Sequence, residues 1–151
     1  MDPRRDAYFL AVAEALAECQ QVEFQLRFYI GNVITVRETK PSAPVPFKMT
    51  EATFRRAVSR HFKKAALGEL IGYFEQLSDA PALVTRLRKF TRKRNRLAHR
   101  LLAAAIDPDG ELDYGIADKL IGEVEMTKSE AICLNDDIHE TSIPWIVHLY
   151  L

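Results

Sequence analysis

Apolar residues recur three and four positions apart in five stretches of the chain, which is the spacing of one face of an α-helix. The first stretch predicts a single long helix over residues 5–38. A second helix is expected from Thr50 to about Lys64, and a further apolar stripe runs from Leu67 to Leu77. The predicted inward positions of the first helix are Phe9, Val12, Leu16, Cys19, Glu23, Leu26, Ile30 and Val33.

Two more helices are predicted in the second half of the chain. The fourth runs from about Pro81 to Ala105, and the turn sequence at 107–110 separates it from a long last helix that begins near Ile116. Pro144 is expected to end or kink that last helix. With no convincing strand, the pattern predicts an all-α fold, a four- to five-helix up-and-down bundle with long first and last helices, as a single domain over residues 1–151. The predicted inward positions of the last helix are Leu120, Val124, Thr127, Ala131, Leu134 and Ile138.

The inward stripe of the fourth predicted helix contains a cation, Arg94. Burying a charge is unfavourable unless the group is paired and hydrogen-bonded. Arg94 therefore needs either an acidic partner inside the fold or a cleft that holds an anion. Glu23 occupies a similar inward position in the first helix and is the candidate partner, whether the pair orients Arg94 for function or is purely structural. The stripe consists of Leu83, Leu87, Phe90, Arg94, Leu97 and Leu101.

Asn95 and His99 lie close to Arg94 in sequence and complete a polar group on this helix. On a straight helix each residue advances about 100°, so His99 lies about 140° from Arg94 around the axis. The two side chains can serve one anion only if Arg94 curls outward, if the helix distorts, or if a second copy of the helix lies opposite. The last option predicts a homodimer with this segment at its interface.

These residue types suit the chemistry of a phosphodiester. A guanidinium grips phosphate oxygens and stays charged, an imidazole can move a proton near neutral pH, and an amide can orient either group. Two copies of the helix would supply two imidazoles, enough for one acid and one base. RNA carries its own nucleophile, the 2′-hydroxyl, so its cleavage needs proton transfer and charge stabilisation but no metal and no cofactor.

The segment Arg94-Asn95-Arg96-Leu97-Ala98-His99 resembles the motif of the HEPN family, in which an arginine and a polar residue precede a histidine, with four to six positions between arginine and histidine. The resemblance covers six residues as a motif and most of the chain as helical architecture. It implies a dimeric, metal-independent endoribonuclease whose two motifs form one composite site and leave a 2′,3′-cyclic phosphate and a 5′-hydroxyl. In that reading Arg94 stabilises the phosphate, His99 is the acid or base, and Asn95 positions them.

The resemblance also implies a biological setting and an alternative. Several members of the family are toxins paired with a nucleotidyltransferase-like antitoxin, or act in phage defence. Other members have lost activity. The alternative is therefore a catalytically inactive helical interaction or regulatory module in which Arg94 forms a buried structural ion pair.

The charge of the whole chain is balanced, with 21 basic and 21 acidic residues, but its distribution is uneven. Residues 86–100 contain eight lysines and arginines and no acid, which indicates an anionic partner in this region. We expect single-stranded RNA there. A DNA-binding regulator is a third hypothesis, although a groove-reading helix needs one free face. The residues predicted to bind RNA are Arg92, Lys93, Arg96 and Arg100.

The remaining composition points to a protein of the cytoplasm. No stretch of 18 apolar residues is present and no signal-peptide pattern follows the N-terminus, so we expect neither a transmembrane helix nor contact with a membrane. Cys19 and Cys133 are expected to be a reduced pair, buried on separate helices. No cysteine or histidine spacing is typical of a zinc site.

Overall fold

The computed structural model describes residues 2–40, 52, 55 and 62–150, with the side chain of Leu102 excepted. Regular structure in these residues is helical, and the long first and last helices confirm the predicted all-α bundle. The predicted helix from Thr50 to about Lys64 lies outside the described residues, apart from residues 52 and 55 and its last turn. The elements are α1 (Pro3–Thr39), a 3-10 turn (Phe62–Lys64), α2 (Leu67–Gln76), α3 (Pro81–Arg96), a π-helical turn (Leu97–Leu101), the short α4 (Leu102–Ala104) and α5 (Tyr114–Tyr150).

Local signals explain where the long helices begin. The carboxylate of Asp2 accepts a hydrogen bond from the backbone N–H of Arg4 at 2.9 Å, and Pro3 occupies the first turn of α1. Helix α5 begins two residues before the predicted Ile116, because Asp113 accepts a bond from the N–H of Ile116 at 3.0 Å. The turn before it is closed by Gly110 at a φ of 82°, a conformation that favours glycine.

Helices α1 and α5 run parallel along their whole length, and α3 runs antiparallel to both. The guanidinium of Arg4 meets Asp118 near the start of the two long helices, and Tyr29 meets Trp145 towards their ends. Tyr8 contacts Leu101 at the end of the π-helical turn, whereas Glu23 contacts Arg94 of α3, about two helical turns earlier in the sequence. This arrangement places the predicted motif beside the first half of α1.

Three aromatic side chains join α1, α2 and α5 in the centre of the core. The ring of Tyr29 packs edge-on against Phe74 at 4.9 Å and against Trp145 at 6.4 Å. The indole Nε1 of Trp145 donates to the Tyr29 hydroxyl at 3.0 Å, and that hydroxyl donates to the backbone carbonyl of Leu77 at 2.6 Å. All polar atoms of this aromatic group are therefore satisfied inside the core.

The predicted inward stripes agree with the observed burial at most positions. In α5, every predicted position from Val124 to Ile138 is buried, and Leu120 is half-buried. Of the two outcomes expected at Pro144, the end of the helix is not found: α5 continues to Tyr150, because the buried Trp145 anchors the following turn even though a proline cannot donate a backbone hydrogen bond. The prediction for the second cysteine needs correction. Cys133 is exposed, since it lies between the inward positions Ala131 and Leu134 and points to the opposite face.

Candidate functional site

The apolar stripe of α3 and the π-helical turn brings Arg94 against α1. Every apolar member of the stripe is buried, from Leu83 to Leu101. The side chain of Arg94 retains 28% of its exposure, because its head group lies at the edge of the core rather than at its centre. The neighbouring leucines thus fix the backbone of the motif and leave the guanidinium at the border between core and solvent.

Glu23 lies between two guanidinium groups at this border. The Nη2 of Arg94 donates to its Oε1 at 2.8 Å, which confirms the predicted partner in the fold. The Nη2 of Arg27 is 3.7 Å from its Oε2, within ion-pair range but too long for a hydrogen bond. Arg27 donates instead to the backbone carbonyl of Ala65 at 2.9 Å. With 15% of its side chain exposed, Glu23 is the most buried of the three charged residues.

Cys19 lies one helical turn before Glu23 and completes the buried side of this cluster. Burial raises the pKa of its thiol from 9.0 to about 11. The positive charge of Arg94 opposes that rise, and the carboxylate of Glu23 adds to it. The thiol therefore stays protonated at neutral pH. Cys19 is a packing residue whose pKa depends on the charges of Arg94 and Glu23.

The backbone changes its winding at the histidine of the motif. Residues Leu97–Leu101 form a π-helical turn, whose wider winding gives each residue a smaller angular advance than in an α-helix. Of the three arrangements that would let Arg94 and His99 serve one anion, the structure contains the distorted helix. The hydroxyl of Tyr8 on α1 donates to the carbonyl of Leu101 at 2.9 Å, and Leu97 and Leu101 are buried, so packing holds the turn in place.

The other two motif residues lie on the surface. Asn95 is exposed, and its Oδ1 accepts a bond of 3.3 Å from Nη1 of Arg94. His99 is exposed and makes no hydrogen bond or ion pair with any other residue that the structure describes. The chain thus brings Arg94, Asn95 and Glu23 into one connected group, and within the described residues the imidazole of His99 does not belong to it.

Most cations of residues 86–100 face acids of neighbouring helices. On the α5 side, Nζ of Lys93 is 2.5 Å from Oε2 of Glu130, and Nη2 of Arg96 is 3.2 Å from Oε2 of Glu123. Two of the four residues predicted to bind RNA are therefore already paired within the chain. The other two are exposed and have no acidic partner in the described part of the chain; they are Arg92 and Arg100, which share this property with Lys89.

The ion pairs between α3 and α5 could have been predicted from the spacing of the acids in the sequence, which the periodicity of apolar residues does not include. Glu123, Glu130 and Asp137 recur every seven residues on α5, directly before the inward positions Val124, Ala131 and Ile138. Such spacing places all three acids along one edge of the buried face. The roles of Arg27 and Tyr8 had no comparable signal, since both depend on which helices become neighbours.

Comparison with known proteins gives no further assignment: no protein-family model, no curated protein and no solved structure matches this chain. Among the described helices, none combines the length and the apolar character that crossing a membrane requires.

Proposed function

We propose that the protein is a metal-independent endoribonuclease of HEPN type that acts as a dimer with a composite site. The observation that carries the proposal is the π-helical turn at Leu97–Leu101, which interrupts the helix at the exposed His99 beside an anchored Arg94. Such interruptions often occur at functional sites. Arg92 and Arg100, which have no acidic partner among the described residues, flank the same segment and suit the backbone of single-stranded RNA.

The proposed reaction is an internal transfer at one phosphodiester. One His99 imidazole takes the proton of the 2′-hydroxyl, and the 2′-oxygen attacks the adjacent phosphorus. The bond from phosphorus to the 5′-oxygen breaks as the His99 imidazolium of the second protomer donates a proton to that oxygen. Arg94 stabilises the negative charge that accumulates on the phosphate oxygens, and Asn95 orients the guanidinium. The products are a 2′,3′-cyclic phosphate and a 5′-hydroxyl.

The test is incubation of the purified chain with single-stranded RNA in excess chelator, followed by analysis of the product ends. Cleavage that leaves a cyclic phosphate, and that is lost in His99→Ala, is the expected result. Cleavage that requires a divalent cation, or that persists unchanged in His99→Ala, contradicts the proposal. Analytical ultracentrifugation of the same sample tests the proposed dimer.

We extend the proposal to a role as a toxin or phage-defence component with a nucleotidyltransferase-like antitoxin, as the resemblance implies. Induced expression in a bacterial host is expected to arrest growth with His99 intact and to leave growth normal in His99→Ala. Growth arrest by both forms would point to a cause other than RNA cleavage.

A second candidate is an inactive helical interaction or regulatory module, and the Arg94–Glu23 pair favours it. This pair joins α3 to α1 at 2.8 Å between two largely buried side chains, which is the arrangement of a structural ion pair. In that case Arg94→Ala lowers stability, and the unaltered chain shows no RNA turnover at any concentration. The two candidates therefore differ in turnover and agree on stability.

A further inference from the structure

Among the described residues, the ion-pair cluster around Glu23 contains more positive than negative charge. One carboxylate faces two guanidiniums, and Arg27 and Arg94 retain only 31% and 28% of their side-chain exposure. The pairing is also unequal, because Arg94 is hydrogen-bonded to Glu23 at 2.8 Å whereas Arg27 stands 3.7 Å away. The carboxylate therefore has one engaged partner and a second partner close by.

Arg27 has unused hydrogen-bonding capacity. Its Nη2 donates to the carbonyl of Ala65, but its Nε is buried and has no hydrogen-bond partner among the residues that the structure describes. A buried donor without a partner is unfavourable, so a closer approach to Glu23 would improve the surroundings of this guanidinium. The guanidinium of Arg27 therefore lies near the carboxylate of Glu23 and still has a hydrogen-bond donor available for it.

These contacts bear on how Arg94 can bind a phosphate. If Glu23 had only Arg94 as a partner, turning the guanidinium towards an anion would leave a carboxylate that is 15% exposed without a counter-charge. Leaving a largely buried charge unpaired is strongly unfavourable. With Arg27 in reach, Glu23 keeps a cation when Arg94 is drawn away, and the exchange requires a movement of Arg27 of about 1 Å, from ion-pair to hydrogen-bond distance.

We propose that Arg27 is a positioning residue that takes over Glu23 when Arg94 engages a phosphate of RNA. The inference rests on the proposed function in one respect, that the anion bound by Arg94 belongs to RNA. Arg27 itself acts through Glu23 and does not contact the substrate. A competing explanation is that Arg27 attracts the anion directly through its charge, which a double-mutant cycle distinguishes.

The experiment measures binding of a fully 2′-O-methylated single-stranded oligoribonucleotide, which cannot be cleaved because its nucleophile is blocked. Affinities are compared at one fixed ionic strength, since phosphate contacts depend on salt. The four chains of the cycle are the unaltered protein, Arg27→Gln, Glu23→Gln and the double variant. Glutamine at 27 keeps a donor for the Ala65 carbonyl, and Arg4→Gln on the same helix is the control for loss of one exposed positive charge.

The expected results have a defined pattern. Arg27→Gln weakens binding about tenfold when Glu23 is present, which is the size of effect that loss of a partly buried counter-charge gives. In the Glu23→Gln chain the same change has less than about a twofold effect, because no carboxylate then competes for Arg94. Arg4→Gln changes the affinity by less than about twofold. Arg27→Lys, which keeps the charge, retains most of the affinity.

Other results overturn the inference. An unchanged affinity in Arg27→Gln, or an equal loss with and without Glu23, rules out action through the carboxylate. If Arg27→Gln does not fold, Arg27→Lys carries the test, and a tenfold loss in that chain contradicts the proposal. The proposal is also contradicted if the unaltered chain does not bind the oligonucleotide. Cleavage of unmodified RNA is assayed separately, so a chain that shows the expected cycle without cleavage refutes only the proposed function.

Discussion

The ion pairs that helix α3 makes with α5 differ in burial and in charge balance from the cluster that it forms with α1. Towards α5, each cation faces its own acid at the surface, as in Lys93–Glu130 and Arg96–Glu123. Towards α1, two guanidiniums share the single carboxylate of Glu23 in a largely buried position. Towards α5 the basic segment is therefore neutralised, whereas towards α1 the second guanidinium, that of Arg27 on α1, gives the cluster excess positive charge.

This difference suggests two roles for the charged residues: the exposed pairs towards α5 favour solubility, whereas the cluster towards α1 can bind an anion. Exposed one-to-one pairs contribute about 0–1 kcal/mol each and cancel the local field. A half-buried cluster with excess positive charge acts at lower effective dielectric, where an anion is attracted more strongly. The number of cations in residues 86–100 thus overstates the positive surface available to RNA. A phosphate is expected to bind most favourably at the cluster on the α1 side of α3.

The largest effect is expected at His99, which distinguishes a catalytic site from a structural one. If the α1 side of α3 is a ribonuclease site, His99→Ala lowers the cleavage rate by about 10²- to 10⁴-fold, the usual contribution of an acid or base. Its unfolding free energy stays unchanged within about 0.5 kcal/mol, because the imidazole is exposed and unpartnered among the described residues. Single-turnover kinetics and urea unfolding measure the two quantities.

His139 supplies the matched control for this prediction. It is an exposed histidine on α5, away from the α1 side of α3. His139→Ala should leave both rate and stability unchanged. Similar losses of rate in both histidine variants would show that cleavage does not depend on the motif.

Arg94→Ala is expected to give the next effect, on stability as well as on activity. The variant leaves Glu23 with Arg27 at 3.7 Å as its remaining cation. Breaking a fully buried pair costs about 3–5 kcal/mol, and the partial exposure here lowers the expected loss to about 2–3 kcal/mol. Removal of both partners in Arg94→Ala/Glu23→Ala should recover part of that loss. Urea unfolding of the four chains provides the test, and full additivity of the two single variants would contradict the pairing.

The sequence predicted the framework of this cluster well. Apolar periodicity identified the long first helix and the stripe that surrounds Arg94, and the cost of burying a charge identified Glu23 as its partner. Both predictions start from the inward positions of each helix taken separately. The same periodicity predicted the inward positions of α5. It did not predict that the helix continues past Pro144, because that continuation depends on the packing of Trp145.

Features that depend on neighbouring helices were beyond the sequence. Arg27 reaches Glu23 because both lie on one face of α1, but its role depends on where Ala65 and Arg94 are placed by the fold. The π-helical turn at His99 arises where buried leucines and the Tyr8 hydroxyl fix the end of the motif helix. No local composition rule distinguishes this turn from a regular helix.

The unfolding free energy at alkaline pH should depend on the titration of Cys19, which lies beside the cluster of Glu23 and Arg94 on the α1 side of α3. Its pKa is raised to about 11 in the folded chain, against 9.0 without burial. Between these values the folded chain keeps a proton that the unfolded chain loses, so the unfolding free energy falls as pH rises, by about 2 kcal/mol across the window. Cys19→Ala should remove this part of the pH dependence.

Cys133→Ala is the control for that measurement, because its thiol is exposed on the outer face of α5. The decline between pH 9 and 11 should be the same in this variant as in the unaltered chain. Tyr8, whose pKa is also raised by burial and by the charge of Glu123, is expected to leave some alkaline dependence in every chain. An identical decline in Cys19→Ala and Cys133→Ala would show that Cys19 does not report on the cluster.

The smallest effects are expected on the α5 side of α3. Lys93→Ala and Arg96→Ala should each lower the unfolding free energy by less than about 1 kcal/mol, because the cations of their pairs with Glu130 and Glu123 are about half exposed, at 46% and 48%. That loss should shrink further when salt is raised from about 0.01 M to about 1 M, since the Debye length then falls from about 30 Å to about 3 Å. The loss in Arg94→Ala should decrease less at high salt, because its pair with Glu23 is more deeply buried than the pairs of Lys93 and Arg96. Equal salt sensitivity on the two sides of α3 would mean that burial does not distinguish them.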